Sequence, residues 1–348
     1  MNRNILAAAV AVSALVLPPA ACAQSNVTIY GLIDLNLSHT RAGSQSRSAL
    51  DHGELNGTRL GFRGSEDLGN GMKAIFTLEQ GFDPSTGLLE QGGRTFGRQS
   101  FVGVEGGWGR LTLGRQYTPA FVAIDPMDAT GSADRSPGLL SRKTGGIKPA
   151  YEVRLDSMVK YRSPEFSGFS VDAAYWLGGK TATDSTARRE GDGFGIAGLY
   201  KRGPLSASIV TQRIQRDSTG GKVRTDGFGL AYDFGPAKAY FAYTRDKESG
   251  SQGEGKARTY DIGVEIKAGA RSTVAISYAD RNESNDAAAE DARGWSAYYM
   301  YDLSKRTTLY TGYSRLINKD DANYALGNFT PAAGGDPRVV MAGIRHKF

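Results

Sequence analysis

The chain has 348 residues, of which 46 are glycine, 17 tyrosine, three histidine and one cysteine, and it carries a formal net charge of +6. Mean hydropathy is −0.38, and no apolar run after the N-terminal segment reaches the roughly 20 residues that a helical bilayer span needs, which excludes a helical membrane protein. Strands of about 9–11 residues with alternate positions polar remain open, as does a secreted β-rich protein.

Residues 1–23 read as a cleavable signal peptide. Arg3 lies in a short polar head, an apolar stretch runs from Ile5 to Leu17, and Ala21-Cys22-Ala23 supplies small residues for cleavage. Pro19 stands where a lipoprotein signal would carry a branched apolar side chain. Cleavage would leave residues 24–348 as one domain and would remove the only cysteine, and with it any disulfide or thiol chemistry.

Strand periodicity then begins at once. Val27, Ile29, Ile33, Leu35 and Leu37 alternate with Thr28, Tyr30, Asp34, Asn36 and Ser38, a first strand of membrane-spanning length. Residues 40–56 are polar and read as an outer loop. In 57–64, Leu60 and Phe62 face one way and Arg59 and Arg63 the other, before a glycine-rich turn at 66–71. Strands at 73–82 and 93–105 follow, then a turn at 106–109 and a strand at 110–115 carrying Leu111 and Leu113.

Residues 117–148 follow no strand pattern, and a structureless loop of about thirty residues is uncommon in a compact fold. Pro119, Phe121, Ile124, Met127, Leu139, Leu140 and Ile147 give it groups that can pack, so the expectation is a loop folded back into the lumen of a barrel. Beyond it, Val153, Leu155, Val159 and Tyr161 alternate with Arg154, Asp156, Lys160 and Arg162. Short turns and longer polar loops continue to alternate to the C-terminus, giving sixteen strands. That segregation predicts an all-β, 16-stranded antiparallel transmembrane β-barrel with a long third loop in the lumen, closed so that no strand edge meets lipid. Aromatic residues beside the turns, at Phe62, Trp108, Phe169, Tyr232, Phe234 and Tyr301, suit an interfacial girdle.

Several segments together resemble the general diffusion porins of the Gram-negative outer membrane, β-proteobacterial type. They are Val27-Thr28-Ile29-Tyr30-Gly31, Arg59-Leu60-Gly61-Phe62-Arg63-Gly64-Ser65-Glu66-Asp67-Leu68-Gly69 and Arg98-Gln99-Ser100-Phe101-Val102-Gly103. Gly114-Arg115-Gln116-Tyr117, Tyr161-Arg162-Ser163-Pro164-Glu165-Phe166-Ser167-Gly168 and Gly343-Ile344-Arg345-His346-Lys347-Phe348 extend the likeness over the whole mature chain. The resemblance implies a homotrimer in the outer-membrane bilayer whose third loop forms a constriction, passing small hydrophilic solutes and ions. It also implies a second loop that reaches a neighbouring barrel, here residues 83–91 with Leu88 and Leu89. Phe348, ending a stripe with Val340, Ala342, Ile344 and His346, becomes the assembly signal for the outer-membrane insertion machinery.

Alternation points Arg59 and Arg63 inward opposite Leu60 and Phe62, Arg94 and Arg98 inward if Phe101 faces lipid, and Arg154, Lys160 and Arg162 inward opposite Leu155, Val159 and Tyr161. Because the family carries constriction arginines on these strands, Arg59, Arg98 and Arg154 are the first choices, followed by Arg63, Arg94 and Arg162. Arg115 shares the parity of the lipid-facing leucines and ranks lower. Asp125, Asp128 and Asp134 of the long loop are the facing acids, unless they pair within the loop with Arg135 or Arg142. The named cations outnumber the acids, which predicts a weak anion preference. His39, His52 and His346 lack metal-ligand spacing, no nucleophile–histidine–carboxylate set is visible, and an exported chain with lumen-facing cations is remote from nucleic acid. No enzyme activity, metal, cofactor or nucleic-acid partner is therefore expected. The rival readings are a substrate-specific channel with an aromatic track along its lumen and a secreted or surface β-rich binding protein.

Overall fold

The computed structural model describes residues 26–131, 133–136, 151–178, 190–216, 221–250, 255–284, 291–319 and 322–348; the expected signal peptide lies outside them. The strands are β1 (Asn26–Ala42), β2 (Gln45–His52), β3 (Arg59–Gly69), β4 (Met72–Gly81), β5 (Gln99–Gly106), β6 (Gly109–Tyr117), β7 (Arg154–Arg162), β8 (Phe169–Trp176) and β9 (Gly193–Arg202). They continue as β10 (Leu205–Gln215), β11 (Lys222–Asp233), β12 (Ala237–Ser249), β13 (Gly255–Lys267), β14 (Ser272–Ser284), β15 (Ala292–Asp302), β16 (Thr307–Asn318) and β17 (Arg338–Lys347). One helix, α1 (Pro119–Ile124), follows β6.

Each strand pairs antiparallel with its neighbour, and β17 returns to β1 through the register Leu32↔Lys347 to Arg41↔Arg338. β1 pairs with β2 along its upper half and with β3 along its lower half, so β2 and β3 occupy one position of the ring, interrupted at 53–58. The result is a closed barrel of sixteen antiparallel strands.

Period-2 burial separates the two faces. On β10, Ile209 (66 % exposed) and Arg213 point outward while Ser208, Val210 and Gln212 are buried. The inward parity is small or polar over much of the wall, as at Ala197, Ala231, Ala242, Ser277 and Ser296, whereas Ile196, Leu230, Ile262 and Ile276 face out. This reverses the arrangement of a soluble protein. Aromatic pairs sit outside at both levels: Phe169–Tyr200 at 4.4 Å and Tyr232–Phe234 at 4.7 Å by the short turns, and Trp295–Tyr313 at 5.0 Å toward the long loops.

Three local expectations are corrected. Residues 40–56 are not an open loop: β1 continues to Ala42, turns at Gly43 (φ 57°) and returns as β2, with Ser38 donating to Asp51 at 2.5 Å and His39 meeting Ser48 at 2.8 Å. Polar strand is stable there because sheet hydrogen bonds need no apolar face above the hydrocarbon. For the same reason β12 runs on to Ser249 and β13 begins at Gly255, within a charged stretch, 246–256, that sequence alone reads as one of the longer polar loops. β5 starts at Gln99, not at 93, because Gly92 and Gly93 adopt positive φ and turn the chain.

The seam depends on Gly31 and the C-terminal residue. Gly31 and Phe348 exchange two backbone hydrogen bonds at 3.0 Å, and a Cβ on Gly31 would stand 2.5 Å from the Arg59 carbonyl and 2.6 Å from the Phe348 ring. Gly31→Ala is therefore expected to destabilise the barrel by about 1–3 kcal/mol, the usual cost of overpacking, whereas Phe348→Ala leaves the seam's backbone bonds intact. Thermal unfolding in detergent checks this, and an unshifted Gly31→Ala midpoint would refute the close packing.

Candidate functional site

The segment leaving β6 begins with a capped turn. Thr118 is the N-cap of α1, its hydroxyl accepting from the Phe121 N–H at 3.3 Å, and Pro119 opens the helix. Ala120, Ala123 and Ile124 are buried against Ala197, Val210, Ala231 and Ala242, the wall parity opposite to Ile196, Ile209 and Leu230. Ser208 donates to the Ala123 carbonyl at 2.6 Å, and the Ala120 N–H donates to Gln212 at 3.3 Å. Close approach requires glycine in the wall: a Cβ on Gly229 would lie 2.3 Å from Met127 Cγ, and one on Gly263 2.5 Å from the Ala129 Cβ.

A second anchorage lies on a different arc of the ring. Asp134 N–H donates to the Glu54 carbonyl at 2.8 Å, and the Arg135 guanidinium reaches Glu54 at 2.5 Å and Asp51 at 2.7 Å. Tyr298 of β15 donates to Glu54 at 2.7 Å, and Ser136 meets Ser296 at 2.9 Å. Burial works against the Arg135 charge, but Glu54, Asp134 and Asp51 outweigh it and hold the group above its ordinary value.

Between these anchorages lies a cavity of about 740 Å³ whose lining includes Arg59, Arg98, Arg154, Glu90, Asp125 and Asp134. Arg98 is 6 % exposed; its Nε meets Glu79 at 2.7 Å and its Nη2 donates to Tyr117 Oη at 3.1 Å. Arg154 donates to the same phenol at 2.9 Å and stands 4.5 Å from the ring centroid, a cation–π contact. Tyr30 donates to the other Glu79 oxygen at 2.9 Å, and Arg59 is turned by a bond to the Gly57 carbonyl at 2.9 Å. Tyr117 also stacks on Phe121 at 4.4 Å, joining the cationic wall to α1.

Five of the nine charged candidates thus come together: Arg59, Arg98, Arg154, Asp125 and Asp134. Arg154 gets there by an unexpected route. Ser157 (φ 50°) and a register shift opposite Gly114–Gln116 break the alternation of β7, so Leu155 packs with Met158 and Trp176, not on the face of Val159 and Tyr161. Arg94 stands elsewhere, before β5 begins, and shares Asp156 with Arg115 at 2.7 Å each. Arg63 stacks 5.3 Å from the Tyr30 ring, away from the cavity, and Arg162 joins Lys160 on Asp172, at 3.7 and 3.1 Å. Asp128 bonds the Thr130 N–H and hydroxyl at 2.8 and 2.9 Å and does not line the cavity. Leu139, Leu140, Arg142 and Ile147 lie outside the described residues.

Glu79 and Tyr117 are the cavity-wall partners that sequence reasoning missed. Glu79 was within reach, since it alternates with Leu78 on β4; Tyr117 gives no such signal because its direction is set where the strand bends. Removing one partner of a buried ion pair typically costs about 3–5 kcal/mol. Glu79→Gln is therefore expected to lower the unfolding midpoint strongly, and Glu79→Gln combined with Arg98→Met to recover part of the loss, read as a double-mutant cycle in detergent. Simple additivity would show that the two groups are not coupled.

The chain matches the family described as Gram-negative porin over residues 7–321. It is 30 % identical to an outer-membrane porin protein of Bordetella pertussis and 32 % identical to outer membrane porin protein 32 of Delftia acidovorans, each alignment covering 100 % of both chains. Among solved structures, an anion-selective porin from Comamonas acidovorans superposes with a TM-score of 0.81 at 30 % identity, covering 93 % of this chain and 100 % of that one. OmpT of Vibrio cholerae shares the fold at 15 % identity, with a TM-score of 0.68 over 93 % of this chain and 98 % of its own. With a matching family across most of its length and full-length relatives at 30 % identity, this barrel is a member of the Gram-negative porin family.

Proposed function

We propose that the protein is an outer-membrane channel for passive diffusion of small hydrophilic solutes and ions, narrowed by the segment that follows β6 and weakly anion-selective. The observation that carries the reading is the double anchorage of that segment, by α1 on β9–β11 and by Asp134–Ser136 on β15 and the β2–β3 break, beside the arginine-lined cavity. A segment held on two arcs of the inner wall spans the passage between them. Such a site needs no bond chemistry and no cofactor; charge and width do the work.

The sign of selectivity is a balance. Arg98 is engaged by Glu79 and Asp134 lies beside Arg135, leaving Arg59 and Arg154 to face Asp125 and Glu90. Arg63, and Arg162 with Lys160 around the single Asp172, leave an excess of positive charge toward the short-turn mouth. The anion-selective relative supports the same sign. Screening lengths are about 8 Å at physiological salt, so the effect belongs to dilute solution. Arg59→Gln with Arg154→Gln should move the zero-current potential toward cations in dilute asymmetric salt and barely move it at molar salt. An unmoved potential in dilute salt would place the filter elsewhere.

We further propose a homotrimer joined in part through the loop between β4 and β5. That loop is a tight hairpin, with Phe82 bridging Leu89, the Asp83 N–H donating to the Leu88 carbonyl at 2.8 Å, and Leu88 69 % exposed at its edge. His52 stands 3.6 Å from Asp83 and 3.7 Å from Glu90, one on each leg. Burial is the largest single influence on the Asp83 carboxyl and raises it, but the hydrogen bonds from Ser85 and the nearby His52 together outweigh it and draw the group below its ordinary value, keeping it ionised at neutral pH. Leu88→Asp should lower the temperature at which unheated oligomer dissociates in SDS while leaving folded monomers. The C-terminal Phe348, which we assign as the signal for the insertion machinery, is tested by the Phe348→Ala variant in vivo: slower insertion with the folded barrel intact supports it, and an unchanged rate removes the role.

A further inference from the structure

The wall is interrupted between His52, the last residue of β2, and Arg59, the first of β3. The hairpin between β4 and β5 meets the cavity at this gap, whose lining takes in Gly53 and Gly57 from the break and Glu90, Gln91 and Gly92 from the hairpin. Of the hairpin's two carboxylates, Glu90 lines the cavity and Asp83 does not. The Glu90 N–H donates to the Gly81 carbonyl at 3.0 Å, which fixes its main chain. The side chain's surroundings therefore decide how its charge is presented.

His52 stands between the two acids. Its Nε2 lies 3.6 Å from Asp83 Oδ1 and 3.7 Å from Glu90 Oε1, with 10 % of the side chain exposed. These are ion-pair separations, too long for a hydrogen bond, so a neutral ring gains little from either carboxylate and a protonated ring attracts both. The other charged groups nearby are engaged elsewhere. Asp51 points to the opposite face and holds Arg47 and Arg135, and Glu54 takes Arg135 and Tyr298. Asp34, next to the register partner Leu35 on β1, accepts from Leu55, Asn56 and Tyr310. Arg98, on the cavity side, is within electrostatic reach of Glu90 and paired with Glu79. Histidine is the side chain that ordinarily changes charge between about pH 5 and 8. The chain has two others, His39 against Ser48 and His346 against Thr307.

We propose that His52 is a positioning residue of the channel, governing the charge that Glu90 presents to the cavity and so making ion preference depend on pH. With the ring neutral, Glu90 offers a full negative charge that offsets Arg59 and Arg154, its neighbours in the lining. Protonation sets a cation beside that carboxylate, cancels much of its field and ties the two legs of the hairpin together. Anion preference therefore strengthens as pH falls. The inference rests on the channel reading, and the two fail separately: a barrel that conducts no ions ends the channel reading, whereas a conducting barrel without a pH response ends only this one.

The test measures the zero-current potential of the full-length protein in planar bilayers under dilute asymmetric potassium chloride, where screening is weak, in steps from about pH 8 to about pH 5. The wild-type potential should move toward anions as pH falls, along a one-proton curve with its midpoint inside that interval. His52→Gln should flatten the curve, and His39→Gln and His346→Gln should leave it in place. Glu90→Gln should begin from a stronger anion preference at the alkaline end. Histidine ring signals of the isotope-labelled barrel in detergent give a second readout that keeps His52 itself. There Glu90→Gln should lower the His52 titration midpoint by about one pH unit, because a carboxylate that favours the charged ring is gone. A wild-type potential that ignores pH, a curve that survives His52→Gln, or an unmoved His52 midpoint in Glu90→Gln would each overturn the proposal.

Discussion

Within a bilayer a backbone amide has no water to turn to, so every strand must find two neighbours or leave a costly row of unpaired groups. Much of this chain follows from that requirement. It explains why β17 must meet β1 in full register, why residue 31 has no side chain to obstruct the seam, and why a break in the second strand can be tolerated only where other groups take over. At that break, Asp34 accepts from the Leu55 and Asn56 N–H groups at 2.8 and 3.0 Å and from Tyr310 at 2.5 Å. A carboxylate on the neighbouring strand thus supplies the acceptor that the missing ladder would have provided.

Once closed, the wall turns its polar parity inward, and the interior becomes a place where charge can be held if it is paired. The segment after β6 exploits this at Arg135 and avoids it at α1. Alanine and isoleucine seat α1 on small wall residues, whereas Arg135, further along, meets the carboxylates of Asp51 and Glu54. Apolar contact fixes depth, and the ionic clasp fixes position. Between them, Tyr117 holds two guanidinium groups by one oxygen, giving the cationic wall a rigid hinge point.

How much of this the sequence disclosed depended on whether a strict alternation was in force. Where strands are regular, parity put Arg59 on the correct wall and named the segment after β6 as exceptional. It failed where geometry departs from alternation: at the Ser157 bulge, which moved Leu155 to the other face, and at Gly92–Gly93, which took Arg94 off the strand altogether. The strand extensions beyond 40 and 246 were hidden because their sequence is polar on both faces, so nothing distinguishes them from loop until the partner strand is known. Tyr117 belongs to neither class. Its role comes from a bend that brings together residues from three strands.

The glycines beneath the segment after β6 separate two properties that would otherwise change together. Gly229 and Gly263 lie on β11 and β13, about a hundred residues or more from Met127 and Ala129, and neither touches a charged group of the cavity lining. A methyl group at either position would lift the segment off the wall toward the opposite arginines without altering a single charge. The contacts that seat the segment therefore lie on the far wall and the arginines that line the cavity on the near one, so that the room in the cavity and the charge around it can be changed separately.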